Sequence, residues 1–146
     1  MMSAEQLTIQ ATFGVALLAL LIGHQLGDHI AQTDKQADNK AAKGRAGLRA
    51  MAGHLLSYHL TAGAVLAGTA FTLELPLSPV GVAAGFAFSI VSHAILDRRT
   101  PVRRLLRLTG SPVFAQQTSP VCGMYVADQA LHWFSLLVSA LLIARL

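Results

Sequence analysis

Four long apolar blocks limit what this chain can become: Leu7 to Gly27, Leu48 to Leu75, Pro79 to Ile95 and Pro120 to Leu146. Each is close to the roughly 20 residues that a helix needs to cross a bilayer. The chain has 146 residues, 53% of them hydrophobic and 12% charged, and its mean hydropathy is +0.53. Such a composition is too apolar for a typical soluble domain. The residues before the first block include Glu5 and no Lys or Arg, so the basic region of a secretory signal is missing and a retained helix is expected. The prediction is an all-α fold: one integral membrane domain, 1-146, built as a four-transmembrane-helix bundle. Its helices are expected at about 6-32, 48-73, 79-97 and 120-145, with basic cytoplasmic loops at 34-47 and 98-119.

Ten of the eleven Lys and Arg residues lie in two segments, Lys35 to Arg49 and Arg98 to Arg107, and only Arg145 lies elsewhere. With four crossings both segments fall on one side, which the positive-inside rule makes cytoplasmic, giving N-out/C-out topology. Short amphipathic helices are expected within them. Asp34 is read as the cap of a helix ending at Gly44, and Thr100-Pro101 as the start of a basic surface helix running to Gly110. Ser78-Pro79 and Ser119-Pro120 read as starts of the third and fourth spans.

The first apolar block runs into Gly23-His24-Gln25-Leu26-Gly27-Asp28-His29-Ile30-Ala31-Gln32-Thr33-Asp34, where imidazole, carboxylate and amide groups concentrate. His24 and Asp28 are four residues apart, offset by about 40° on a helix, and so share a face. The spacing recurs at His93/Asp97 and Asp128/His132. His54 and His59 lie in the second block, about 140° apart on a helix, so that one can ligate while the other orients it or meets substrate. The topology brings all of these groups to one depth on the cytoplasmic side. An aspartate near the bilayer centre costs about 2.5–3.5 kcal/mol on insertion scales, so three of them need compensation.

One compensation is a hydrogen bond from each aspartate to its neighbouring histidine. The convergence of eight such side chains favours a metal site instead, with His24, Asp28, His54, His59, His93, Asp97, Asp128 and His132 as ligands. Imidazole and carboxylate without thiolate suit zinc, with iron or manganese as alternatives. Eight groups suit two divalent metal ions, as inward-facing pairs in helix bundles do. Asp28 and Asp97 are the candidate catalytic bases. Gln32, Arg98 and Arg99 are candidate substrate-binding residues, although Gln32 can equally cap its helix and the arginines can serve only as a lipid-headgroup face. Cys122 is expected to be a buried thiol, Asp34 a cap, and His29 interfacial. Tyr58, Tyr125 and Trp133 read as core or interface aromatics, with Tyr125 one turn before Asp128. Gly23/Gly27 and Gly81/Gly85 are small-xxx-small pairs that permit close helix packing.

The motifs His24-x-x-Gly27-Asp28-x-x-x-Gln32-Thr33-Asp34 with Lys40 downstream, His93-x-x-x-Asp97, and Asp128-Gln129-x-Leu131-His132 resemble those of a bacterial membrane-protein family. That family is domain of unknown function 3307. The resemblance spans most of the chain and implies a multi-pass protein of the bacterial cytoplasmic membrane, without implying a reaction. A looser similarity, at the level of His-x-x-x-acid ligand pairs, links the chain to membrane-bound metal-dependent hydrolases and zinc-dependent phospholipases C.

The function expected from these readings is a metal-dependent hydrolase open to the cytoplasm, acting on a phosphodiester or lipid-like, anionic substrate. A di-iron oxidoreductase acting on acyl chains is an alternative. So is a metal-ion transporter or sensor, or a metal-stabilised scaffold. Membrane lipids are the expected partners, oligomerisation is compatible with the sequence, and no nucleic-acid recognition motif accompanies the pI of 9.8.

Overall fold

The computed structural model describes residues 1–146, and the fold is all-α. Helix α1 spans Ala4–His29, α2 Asp34–Asn39, α3 Gly44–Thr72, α4 Pro79–Leu96, α5 Thr100–Leu108 and α6 Gly123–Arg145, with one 3-10 turn at Phe114–Gln116. Ser3 and Gln6 close a capping box that starts α1, and Ser78 Oγ with Pro79 starts α4 at the predicted place. Helices α1, α4 and α6 are long and apolar enough to cross a membrane. Helix α3 is longer than any of them at 29 residues, but it is less apolar because it carries His54, Ser57, Tyr58 and His59.

The interior and exterior are inverted relative to a soluble bundle. Exposed positions include Leu18 and Ile22 on α1, Leu56 and Leu60 on α3, Val91 and Ile95 on α4, and Phe134 and Leu141 on α6. Buried positions include His24, Asp28, Lys40, His54, His93, Asp97, Gln129 and His132. An apolar layer of Ala16, Ala19, Leu20, Leu66, Leu136, Ala140 and Ile143 packs at one end of the bundle, and the polar residues gather at the other. Apolar side chains outside and ionisable ones inside are what a lipid surround favours.

Two helix pairs approach closely because glycine faces the contact. A Cβ at Gly23 would lie 2.7 Å from Ala62 Cα, and one at Gly27 would lie 2.8 Å from Tyr58 Cδ2, which binds α1 to α3. Gly81 and Gly85 do the same for α4 against Ile143 and Ser139 of α6. These contacts bring the polar turns of the four long helices within side-chain reach of one another.

Several boundaries differ from the sequence reading. Helix α1 stops at His29 rather than Gln32, because Gln32 Nε2 turns back to donate to the Asp28 carbonyl at 3.1 Å. Thr33, not Asp34, caps α2, its hydroxyl accepting from the Gln36 amide. Helix α2 ends at Asn39, and Gly44, at φ 78°, opens α3 instead of closing α2. Arg99, at φ 61°, rather than Thr100 caps α5, which ends at Leu108. Helix α6 begins at Gly123, not Pro120, because residues 117–122 bend back so that the Gly123 amide donates to the Gln117 carbonyl at 2.9 Å and Gly123 seats against Phe114. Cys122 at its cap is exposed, not a buried thiol.

If these close approaches hold the bundle together, Gly23→Ala should destabilise the protein by about 1–3 kcal/mol through overpacking. Gly14→Ala, with nothing within 4 Å of the added Cβ, should leave stability unchanged or raised. Thermal unfolding in detergent compares the two, and equal stability of both variants would contradict the packing argument.

Candidate functional site

Each of the four long helices delivers polar side chains to one place, and α2 delivers one more. His54 from α3 lies at the centre. Its Nε2 is 3.2 Å from Asp28 Oδ1 of α1, 3.1 Å from Asp97 Oδ2 at the end of α4, and 2.9 Å from His93 Nε2. His93 Nε2 is 3.2 Å from Asp97 Oδ2 and 3.6 Å from Asp28 Oδ1. The shortest contacts are therefore between helices. Of the predicted pairs within helices His93 to Asp97 is as close as these at 3.2 Å, while His24 to Asp28 at 3.9 Å and His132 to Asp128 at 3.5 Å are looser.

The sequence reading missed Lys40. It sits among basic residues of a loop segment and reads there as a topology signal. In the structure it is the C-cap residue of α2 and only 8% exposed. Its Nζ lies 2.9 Å from Asp97 Oδ1, 3.1 Å from His54 Nε2 and 3.7 Å from Asp28 Oδ1. The signal available was its place in the motif downstream of Asp34. A lysine buried between two carboxylates compensates charge that the apolar bundle would otherwise exclude.

His24 is fully buried but committed elsewhere. Its Nε2 is 2.9 Å from Gln129 Oε1, an acceptor, so Nε2 carries the proton, and its Nδ1 accepts from the Tyr58 hydroxyl at 3.1 Å. Both ring nitrogens are thereby used, and none remains to ligate. His24 orients Tyr58 and Gln129, the other two residues that the sequence reading left out of the site. His59 is separate: Nδ1 donates to the Leu55 carbonyl at 2.8 Å, and Nε2 pairs with Ser89 Oγ at 3.1 Å. His132 donates through Nδ1 to the Asp128 carbonyl at 2.9 Å, which leaves Nε2 as an acceptor, 4.0 Å from Asp97 Oδ1.

Two sets of ligand atoms lie within 4.8 Å of one another, Asp28/His54/His93 and His93/Asp97/His132, and each can hold a metal ion. Most of these atoms already take part in ion pairs. Asp28 Oδ1 and Asp97 Oδ2 meet only the shared Nε2 atoms of His54 and His93 and the Lys40 ammonium, and Asp128 Oδ1 and His132 Nε2 are buried without a hydrogen-bond partner. Converging acceptors that outnumber the donors among them suit a cation, since a buried acceptor left unpaired carries a desolvation cost of about 1–3 kcal/mol. The donor set therefore fits a divalent ion.

Among the predicted substrate residues, Arg98 Nη1 donates to the Ala42 carbonyl at 3.1 Å and ties the α4 end to the α2–α3 connection. Arg99 instead lines a cavity of about 220 Å³ with Arg103, Cys122, Met124, Tyr125 and Asp128. Gln32 caps α1, as described above. Tyr125, whose hydroxyl is 2.7 Å from His29 Nε2, reaches the cavity wall rather than the histidine cluster.

Residues 16–146 match a family described as "Protein of unknown function (DUF3307)". No curated protein and no solved structure matches the chain.

Replacing Lys40 by methionine removes one partner of a buried ion-pair group, and we predict a loss of about 3–5 kcal/mol of stability. Lys43→Met, at an exposed position, should cost little. Chemical denaturation of both variants in detergent checks this, and a Lys40→Met protein as stable as the wild type would show that the ammonium does not hold the carboxylates.

Proposed function

Starting from a chain that belongs to the DUF3307 family, whose description assigns no activity, we propose a membrane-embedded metal-dependent hydrolase open to the cytoplasm. Asp28, His54 and His93 hold its ion. The observation that carries this reading is the spacing of their ligand atoms. A tetrahedral ion with ligands at about 2.0–2.1 Å sets those atoms about 3.3–3.4 Å apart. Asp28 Oδ1, His54 Nε2 and His93 Nε2 are separated by 3.2, 2.9 and 3.6 Å. Charge supports it as well. Asp28, Asp97 and Asp128 against Lys40 leave two formal negative charges when the histidines are neutral, which one divalent cation cancels.

His93 belongs to both ligand sets, and this reading therefore takes a single ion with three protein ligands in preference to the two expected from residue count. Two imidazoles and a carboxylate, without thiolate, favour zinc. Such an ion supplies Lewis-acid activation of water and charge neutralisation at a phosphoryl or acyl centre. The chain's own residues do the rest. Asp97 Oδ2, 3.1 Å from His54 Nε2 and 3.2 Å from His93 Nε2, is the base that accepts the proton from the attacking water. Lys40, against Asp97 Oδ1, keeps that carboxylate ionised and in place. The Tyr58–His24–Gln129 chain fixes the facing surfaces of α1, α3 and α6.

The same reading takes α3 as a fourth span. Its exposed Leu56, Leu60 and Phe71 suit lipid, and its length of about 43 Å at 1.5 Å per residue exceeds a hydrocarbon core. Both basic segments then lie on the cytoplasmic face. Cys122, the sole cysteine and exposed, reports this directly. A membrane-impermeant maleimide should label it in inverted inner-membrane vesicles and not in intact cells, and the opposite pattern would reverse the orientation.

A second reading has its own observation, the Lys40–Asp97 ion pair at 2.9 Å. There the cluster is a metal-free charge network, with protonated His54 in place of the cation. Elemental analysis separates the two. We predict about one zinc per chain in the wild type and in His59→Ala, lost in His54→Ala and His93→Ala, with hydrolysis of a generic phosphodiester lost alongside. Metal-free wild-type protein would favour the charge network.

A further inference from the structure

We propose that the cavity between α5 and α6 is a binding subsite for a phosphate-bearing anionic group. Arg99, Arg103, Cys122, Met124, Tyr125 and Asp128 line it. Its volume of about 220 Å³ equals roughly seven waters at ~30 Å³ each, room for a phosphate and its first ester substituent.

Every ion pair in the chain uses a histidine or Lys40 as its cation. Arg99 and Arg103, which both line the cavity, therefore have no carboxylate partner, and of the arginine side chains only Arg98 hydrogen-bonds to protein. Unspent, forked donors side by side suit bidentate recognition of a phosphate. Arg99 is held with φ 61°, a left-handed conformation that a non-glycine residue adopts only under strain. That conformation starts α5 and sets Arg99, Arg103 and Arg107 at four-residue steps along one face. Arg103 also borders a second cavity of about 250 Å³, shared with Arg107, Pro112, Ala115 and Gln116. The basic surface thus extends away from the cluster, as the remainder of an anionic substrate requires.

Asp128 sets the specificity. It is the acidic residue of the cavity, and it repels a fully ionised phosphate. Its Oδ1 is buried and lacks a donor. A phosphate that retains a hydroxyl, either its own or one on the attached alcohol, offers a donor to the Asp128 carboxylate while its charge faces the arginines. Asp128 also joins the cavity to the cluster, through His132 at 3.5 Å and from there to Asp97 at 4.0 Å. The inference deepens the hydrolase reading by naming the charged part of its substrate, and it rests on that reading for the link to catalysis. The ligand has two possible sources, a phospholipid headgroup or a free phosphate compound.

The test is calorimetric titration of inorganic phosphate into the full chain, metal chelated, in phosphatidylcholine nanodiscs and in nanodiscs that also contain phosphatidylglycerol. We predict saturable binding in the first, weakened at least tenfold in Arg99→Gln/Arg103→Gln. Loss of phosphate binding when phosphatidylglycerol is present assigns the site to a lipid headgroup. Undiminished binding assigns it to a free phosphate compound, and either result supports the subsite. No saturable binding in phosphatidylcholine nanodiscs overturns it, as does equal binding by the double variant. The metal content of the wild type separates this inference from the hydrolase reading. Phosphate binding kept by a wild-type protein that purifies without metal leaves the subsite standing alone, whereas a metal-loaded wild type whose double variant binds phosphate normally removes the subsite and leaves the metal reading.

Discussion

Asp28 and Asp97 are buried at the polar end of an otherwise apolar bundle, with the Lys40 ammonium between them. Removing such charges from water costs several kcal/mol per ion, and only close, well-oriented partners recover it. The partners come from five different helices: Asp28 from α1, Lys40 from the end of α2, His54 from α3, Asp97 from the end of α4 and His132 from α6. No local segment can satisfy this set. The requirement that these groups meet therefore ties the register of the whole bundle to the site.

Close helix approach makes that meeting possible. Gly23 and Gly27 let α1 lie against Ala62 and Tyr58, which puts Asp28 within 3.2 Å of His54. Gly85 lets α4 reach Ser139 and Ile143 of α6, which brings His93 to within 4.5 Å, ring to ring, of His132. Larger side chains at those glycines would separate the helices by more than the slack in an ion pair. The packing of the apolar end and the chemistry of the polar end are thus set by the same contacts.

Much of this was legible in the sequence. The apolar blocks, the Ser78-Pro79 start and the recurrence of His and Asp at four-residue spacing gave an all-α fold with polar residues at one depth. Periodicity places a residue on a face but does not choose its partner. For that reason His24 looked like a ligand when both of its nitrogens belong to Tyr58 and Gln129. His59 looked like a companion of His54 when it turns to Ser89. Lys40 was hidden by composition, because a lysine among lysines and arginines reads as a solvated charge. Only the turn of α2 back over the bundle reveals its burial. The exposed thiol of Cys122 was misread for the opposite reason: an apolar residue type predicts burial unless the chain places it at a helix cap beside a cavity.

The account depends on what the Asp28, His54 and His93 atoms hold. X-ray absorption spectroscopy at the metal edge of the purified protein addresses this most directly, since it reports the kind and number of atoms around the ion. The account predicts nitrogen and oxygen scatterers at about 2.0–2.1 Å, with the outer-shell signature of two imidazoles and no sulfur. A sulfur scatterer at about 2.3 Å, or the absence of a stoichiometric metal, would contradict it.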